Sequence, residues 1–258
     1  MAIMLLSYAH VGRARVVLYA SKLAACAGMN PYCTQDELAD EFRAKVIGAP
    51  PAGYLTPGEQ AEAAIESLPQ HARCAVDRAI ASSATCADTA EAGGVLAVTA
   101  EVEGMTKAAL DVVRERLFTA QGNRQEPEVR ERHETARGGE RLLQCARFRT
   151  TAEPLLTVRG VRVHLGGKHD GLDRENQAVV EIKTRQRRFL GVPRYELVQL
   201  HAYMAIFGVR KAVLVESYLG EEREHDVEFD DVLWERVRVA VEDFVGGCLR
   251  EWLGPGGV

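Results

Sequence analysis

Asp170, Glu181 and Lys183 are the residues of this chain whose types and spacing best suit chemistry. They lie in Gly167-Lys-His-Asp-Gly-Leu-Asp173 and Val179-Val-Glu-Ile-Lys-Thr184. A β-strand sends alternate side chains to opposite faces, so Glu181 and Lys183 share one face while Val180 and Ile182 point the other way, toward a core. Asp170 belongs to the preceding strand, and Asp173-Arg-Glu-Asn-Gln177 has the composition of a connecting turn. A hairpin would therefore bring two carboxylates and one ammonium to a single point. Oxygen ligands of this kind hold Mg²⁺ or Mn²⁺, which activates a water beside a phosphate. Asp-x10-Glu-x-Lys is a loose pattern, equally compatible with a solvated Glu/Lys strand face. The apolar run Ala178-Val-Val180 and Ile182 favours a strand buried on one side.

The elements needed to position this cluster are legible in coarse form. Residues 141–151, 158–165 and 179–184 read as strands. Residues 195–207 read as a helix closed by Gly208. On that helix Gln199 and Tyr203 lie four apart and share a face, while Leu200, Met204 and Phe207 occupy another. A strand over 210–218 and an amphipathic helix over 231–252 follow. Before the cluster, helices are expected over 18–28 and 35–46, separated by Asn30-Pro31-Tyr32, with a break at Ile47-Gly-Ala-Pro-Pro-Ala-Gly53. Ala-rich helices follow over 58–82 and about 105–120, interrupted by Glu91-Ala-Gly-Gly94. The whole is an α/β chain with a small mixed β-sheet flanked by helices.

A chain of 258 residues is compatible with one elaborated domain. It contains no apolar run long enough to span a bilayer, and Met1 to Leu6 is too short for a signal-peptide core, so an intracellular protein without membrane association is expected. The six cysteines, Cys26, Cys33, Cys74, Cys86, Cys145 and Cys248, include no Cys-x-x-Cys pair. Reduced thiols are expected, and an iron-sulfur cluster is not. The net charge of −5 runs against a nucleic-acid partner, but local charge matters more than the total. Arg185, Arg187, Arg188 and Arg194 follow the proposed catalytic strand with no acidic residue before Arg194. This loop is either ordinary solvated surface or a basic ridge guiding phosphates to the cluster.

Asp170 with Glu181-Ile-Lys183 resembles the signature of the PD-(D/E)xK nuclease superfamily, with His169 in place of the Pro. Tyr195-Glu-Leu-Val-Gln-Leu-His-Ala-Tyr-Met204 resembles the Gln-x3-Tyr helix that follows the core in its RecB-like and lambda-exonuclease-like branches. Gly122-Asn-Arg-Gln-Glu-Pro-Glu128 resembles the Gly-x3-Glu helix start of those branches. Ala20-Ser-Lys-Leu-Ala-Ala-Cys-Ala-Gly-Met-Asn-Pro-Tyr32 resembles the opening motif of the YqaJ-like viral recombinase family, to which lambda exonuclease is related. These four motifs, in the family's order, cover about residues 13–50 and 118–218.

The resemblance implies a restriction-endonuclease-like core in a single domain over 1–258, with a helical insertion at about 54–117 that carries no chemical motif. It implies that Asp170 and Glu181 bind one or two Mg²⁺ or Mn²⁺ ions, with the Ile182 carbonyl and Glu126 as further ligands. Lys183 would orient or deprotonate the attacking water, Gln199 would position water or substrate, and Tyr203 would contact the DNA. Glu126 precedes Pro127, which suits a helix start, and could equally be a simple helix-terminus acid. Ser21 with Arg13 or Arg15 would grip a 5′ phosphate, although Ser21 also suits a helix cap. Lys168, Arg185, Arg187 and Arg188 would contact phosphates. The expected activity is 5′-to-3′ exonuclease action on duplex DNA ends in recombination or repair, with a homo-oligomer and a single-strand annealing protein as partners. An endonuclease on the same core, and a noncatalytic nucleic-acid-binding protein, remain alternatives.

Overall fold

Two-residue alternation sets the first sheet. In β1 (Arg15–Tyr19) Val16 and Leu18 are buried, while Arg15 and Tyr19 face solvent. β1 runs parallel to β4 (Val161–Gly167), which also takes β2 (Arg149–Thr150) and β3 (Leu156–Val158) as antiparallel partners. The second sheet is β5 (Gly171–Asp173), β6 (Ala178–Thr184), β7 (Lys211–Tyr218) and β8 (Glu221–Glu228), in that order. Its central pair is parallel and its outer pairs antiparallel. In this computed structural model the described residues are 15–47, 55, 57–83, 107–138, 142, 148–158, 160–185 and 187–253.

A parallel pair needs a crossover, and α6 (Arg194–Phe207) supplies it between β6 and β7. It ends at Gly208, whose φ of 69° any residue with a Cβ would find costly. With α1 (Ala20–Cys26), α2 (Gln35–Ile47) and α7 (Asp231–Leu253) it encloses the main core, which includes Leu23, Leu165, Leu200, Met204, Leu214 and Leu249. α2 opens with a reciprocal capping box: Glu37 N–H donates to Thr34 Oγ1 at 3.2 Å, and Thr34 N–H donates to Glu37 Oε2 at 2.8 Å. On the opposite face of β6 and β7, Val129 of α5 (Lys107–Ala136) packs with Val180, Ile182, Val213 and Val215. The central strands are thus covered on both sides. α3 (Pro57–Glu66) and α4 (Gln70–Ser83) lie against the start of α5 around Val76, Val113 and Leu117.

The α/β class, with mixed sheets flanked by helices, agrees with the restriction-endonuclease-like core expected from the sequence. Several boundaries differ. There are two sheets rather than one. The strand expected over 158–165 is the β3–β4 hairpin, which turns at Gly160 with φ 75°. Of the strand expected over 141–151, Arg149–Thr150 pairs, opposite Gly167 and Gly166, and residues 143–147 lie outside the described residues. The helix expected over 58–82 divides at Ser67-Leu-Pro69, because a proline disfavours helical geometry in the residue before it. Arg13, Cys86, Cys145 and the interruption at 91–94 also lie outside the described residues.

Candidate active site

β6 presents Glu181 and Lys183 to α6, and α6 returns Gln199 and Tyr203 to the same point. Lys183 Nζ donates to Glu181 Oε1 at 2.7 Å, and Gln199 Nε2 donates to that same oxygen at 3.1 Å. Gln199 Nε2 is also 3.1 Å from Tyr203 Oη. The Tyr203 ring lies tight against Gly167, where an added Cβ would stand 2.6 Å from Cε1. The end of β4 therefore requires glycine so that this ring can seat. The strand and helix periodicities read from the sequence converge here as expected.

Asp170 enters differently from the side-by-side arrangement on a strand face. It sits just before β5, and its Oδ2 accepts the Ile182 backbone N–H at 2.8 Å. The side chain thus takes over a ladder hydrogen bond just before β5 begins. The hairpin turn beyond is held by Asp173, which accepts from Asn176 N–H at 3.0 Å and from Asn176 Nδ2 at 2.8 Å, and pairs with Arg137 at 3.0 Å.

With both carboxylates ionised the cluster carries one negative charge in excess, and Glu181 is buried. Burial pushes the Glu181 carboxyl up to about 7, opposed by Lys183 and assisted by Asp170. Burial also raises Asp170; the Ile182 N–H opposes this, and the nearby charge of Glu126 adds to it. Burial acts against the Lys183 charge, but Glu181 outweighs it and lifts the ammonium above the ordinary lysine range. The Lys183 ammonium is thereby stabilised where it donates to Glu181. Tyr203 is raised as well, first by burial and then by Glu181.

A divalent cation fits this donor set in charge and atom type. Glu181 Oε2 is buried with no hydrogen-bond partner, and an orphaned carboxylate oxygen beside a second carboxylate is what a hard cation would satisfy. The fit is partial. Among the described residues no group of three or more His, Cys, Asp or Glu side chains is arranged to hold a metal. Glu126 does not stand at a helix start. It lies inside α5, which runs through Pro127, and it is bonded to Arg130. Packing of Val129, together with the Arg132–Glu222 and His133–Glu224 pairs at 2.6 and 2.7 Å, holds α5 continuous despite the hydrogen bond that Pro127 removes.

The basic loop divides into two parts. Arg185 is no phosphate contact: it is 8% exposed, with Nε donating to Glu216 at 2.5 Å and its guanidinium forking onto Glu196 at 2.7 and 2.6 Å. Glu216, fully buried, also accepts from Leu190 N–H, Gly191 N–H and His225 Nε2, at 2.9, 3.0 and 2.8 Å. Burial acts against its charge, but these donors hold its carboxyl below the ordinary range. This network fixes the loop, on which Arg187 and Arg188 are exposed. Arg130, Glu196, Glu216 and His225 escaped the sequence reading. The Glu126/Arg130 spacing of four and the lone acid within Val213-Leu-Val-Glu216 were the available signals.

At the other edge, Ser21 is exposed in the first turn of α1, whose N-cap is Tyr19, so Ser21 is not the cap. Arg15 is exposed and donates to Thr150 Oγ1 at 2.8 Å. Lys168 is exposed just past β4. His169, in the position of the motif's Pro, is buried with its ring 4.2 Å from that of Phe207. Burial, with Arg149 nearby, lowers it to about 4.

No protein-family model matches the chain and no curated protein matches it in sequence. Among solved structures it is similar to an alkaline exonuclease from Laribacter hongkongensis, 18% identical, with a TM-score of 0.40 over 59% of this chain and 85% of that chain. The same enzyme in complex with dAMP is similar at a TM-score of 0.35 and the same identity and coverage. A phage-related exonuclease from Haemophilus somnus 129PT is 14% identical, with a TM-score of 0.40 over 57% of this chain and 85% of that chain.

Proposed function

We propose that the chain is a metal-dependent deoxyribonuclease, acting as a 5′-to-3′ exonuclease on duplex ends in DNA recombination or repair. The observation that carries this reading is the convergence of Asp170, Glu181, Lys183 and Gln199 in a cluster whose Glu181 Oε2 is buried and without a partner. Asp170 and Glu181 would hold Mg²⁺ or Mn²⁺, with the Ile182 carbonyl and Glu126 completing the set once Glu126 leaves Arg130. The bound metal would supply a water acidic enough to attack a phosphodiester and charge to stabilise the transition state. Lys183 would orient that water and offset charge on the phosphate. Gln199 would hold the Glu181 carboxylate in place, and Tyr203 would lock Gln199.

End-directed action is supported by the exposed Lys168 and Ser21, next in the chain to Gly167 and Ala20 at the Tyr203 ring, and by the exposed Arg15 on β1, donors suited to a terminal phosphate. A linear duplex with a 5′ phosphate should therefore be digested faster than one with a 5′ hydroxyl, and covalently closed circles should resist. Ser21→Ala with Arg15→Ala should reduce that preference more than it reduces total activity. Equal rates on both ends, with efficient cutting of closed circles, would make the enzyme an endonuclease.

A further inference from the structure

Glu126, the carboxylate that the cluster lacks, is held by an arginine one helical turn further on. In α5, Glu126, Val129, Arg130 and His133 fall on one helix face, and Val129 packs on Val180 and Ile182 of β6. Arg130 is buried, and its Nη2 donates to Glu126 Oε1. The pair reaches the site through Asp170, which accepts the Ile182 N–H in that strand. Burial raises the Asp170 carboxyl; of the neighbouring charges, Glu126 adds to this, while Lys183 and Arg130 oppose it.

Two observations make this pair exchangeable. A permanent buried guanidinium has its donors satisfied, as Arg185 does by forking onto Glu196 and reaching Glu216. Among the described residues Arg130 bonds a single carboxylate through one arm, and its Nε is buried without a partner. The Glu126 side chain, by contrast, is 31% exposed, so an ion can reach its carboxylate from solvent. A cation that draws on Asp170 and Glu126 therefore competes with Arg130 for the same carboxylate. Taking it leaves a buried guanidinium uncompensated, a cost subtracted from the cation's affinity.

We infer that Arg130 is a positioning residue that withholds Glu126 from the metal, so that the site closes on a divalent cation only above a concentration set by this pair. The inference rests on the metal-dependent reading of the site, for which it names the residue that tunes metal affinity. A helix-face ion pair with a purely structural role would leave metal binding unchanged.

The test follows Mn²⁺ binding without DNA by the EPR signal of the free ion. Arg130→Gln should tighten Mn²⁺ by about five-fold or more, the scale of linked binding equilibria, while Arg130→Lys, which keeps the charge, stays close to wild type. Arg130→Met repeats the test with the apolar stem kept. Glu126→Gln should weaken Mn²⁺, and in that background Arg130→Gln should gain clearly less, because no carboxylate is left to release. Equal gains in the two backgrounds, which a nearby charge alone would give, overturn the inference; so does wild-type or weaker affinity in folded Arg130→Gln and Arg130→Met. Cleavage of linear duplex is followed in parallel. Metal-dependent cleavage with equal Mn²⁺ affinity in wild type and Arg130→Gln rejects the restraint alone, whereas the expected Mn²⁺ differences without cleavage under Mg²⁺ or Mn²⁺ reject the nuclease reading alone.

Discussion

Glu181 is held by two donors on one oxygen and by none on the other, and that asymmetry organises the chemistry of the site. Lys183 and Gln199 fix Oε1, leaving Oε2 without a partner. In the proposed mechanism Gln199 acts through the carboxylate to which it donates. Gln199→Ala should raise the Mg²⁺ concentration for half-maximal cleavage by about 10-fold or more, the range found when a group that orients a metal ligand is removed. Thermal unfolding should change little, and an unchanged metal requirement would remove Gln199 from this role. Alternation along a strand and four-residue spacing along a helix made Glu181, Lys183, Gln199 and Tyr203 legible in sequence. The Asp170 bond to the Ile182 N–H was not, because a side chain replacing a ladder acceptor has no periodic signature.

At the scale of elements, the site depends on a buried ionic tie between β6, β7 and α6. Arg185, two residues past Lys183, joins Glu216 of β7 to Glu196 at the start of the helix that bears Gln199. Glu216→Gln leaves the Arg185–Glu196 pair in place but removes the charge that accepts from Arg185, Leu190, Gly191 and His225, so it should destabilise the protein at neutral pH by roughly 1.5–3 kcal/mol. The sign with pH follows from the lowered Glu216 carboxyl: the stabilisation is present above the ordinary value of 4.5 and is lost as pH falls through the folded-state value. Urea midpoints of wild type and Glu216→Gln should therefore differ most near neutrality and converge in acid. A gap independent of pH would show that charge on Glu216 is not what stabilises the network. The sequence reading placed Arg185 among the phosphate contacts of a basic ridge because its two acidic partners lie 11 and 31 residues away and give no local signal. It likewise suggested that α5 begins at Pro127. Packing against β8, whose Glu-Glu-Arg-Glu-His-Asp composition hides a strand, decides otherwise.

Across the whole molecule, the net charge of −5 leaves exposed cations on the loop that follows β6 and just past β4. Arg187 and Arg188 are exposed on a loop that Glu216 anchors, while the exposed Lys168 and Ser21 adjoin Gly167 and Ala20 at the Tyr203 ring. Replacing Arg187 and Arg188 by Ala should weaken duplex binding and lower the slope of log affinity against log salt by up to about 1.8, or 0.9 for each phosphate no longer neutralised. Cleavage at saturating DNA should suffer less. An unchanged slope would place the loop away from the backbone. The helices over 57–83 add a small apolar cluster beside α5.

The proposed mechanism requires Asp170 and Glu181 to act together as the ligands of a divalent cation, and cleavage of linear duplex by Asp170→Asn and Glu181→Gln tests this most directly. Both substitutions keep shape and one carbonyl oxygen to accept the bonds that Asp170 Oδ2 and Glu181 Oε1 accept, so each variant should unfold at a urea concentration close to that of wild type. Wild-type protein should cleave with Mg²⁺ or Mn²⁺ and stop in EDTA, and each variant should fall to the limit of detection at saturating metal. Cleavage at near wild-type rate by either folded variant would contradict the assignment of these carboxylates.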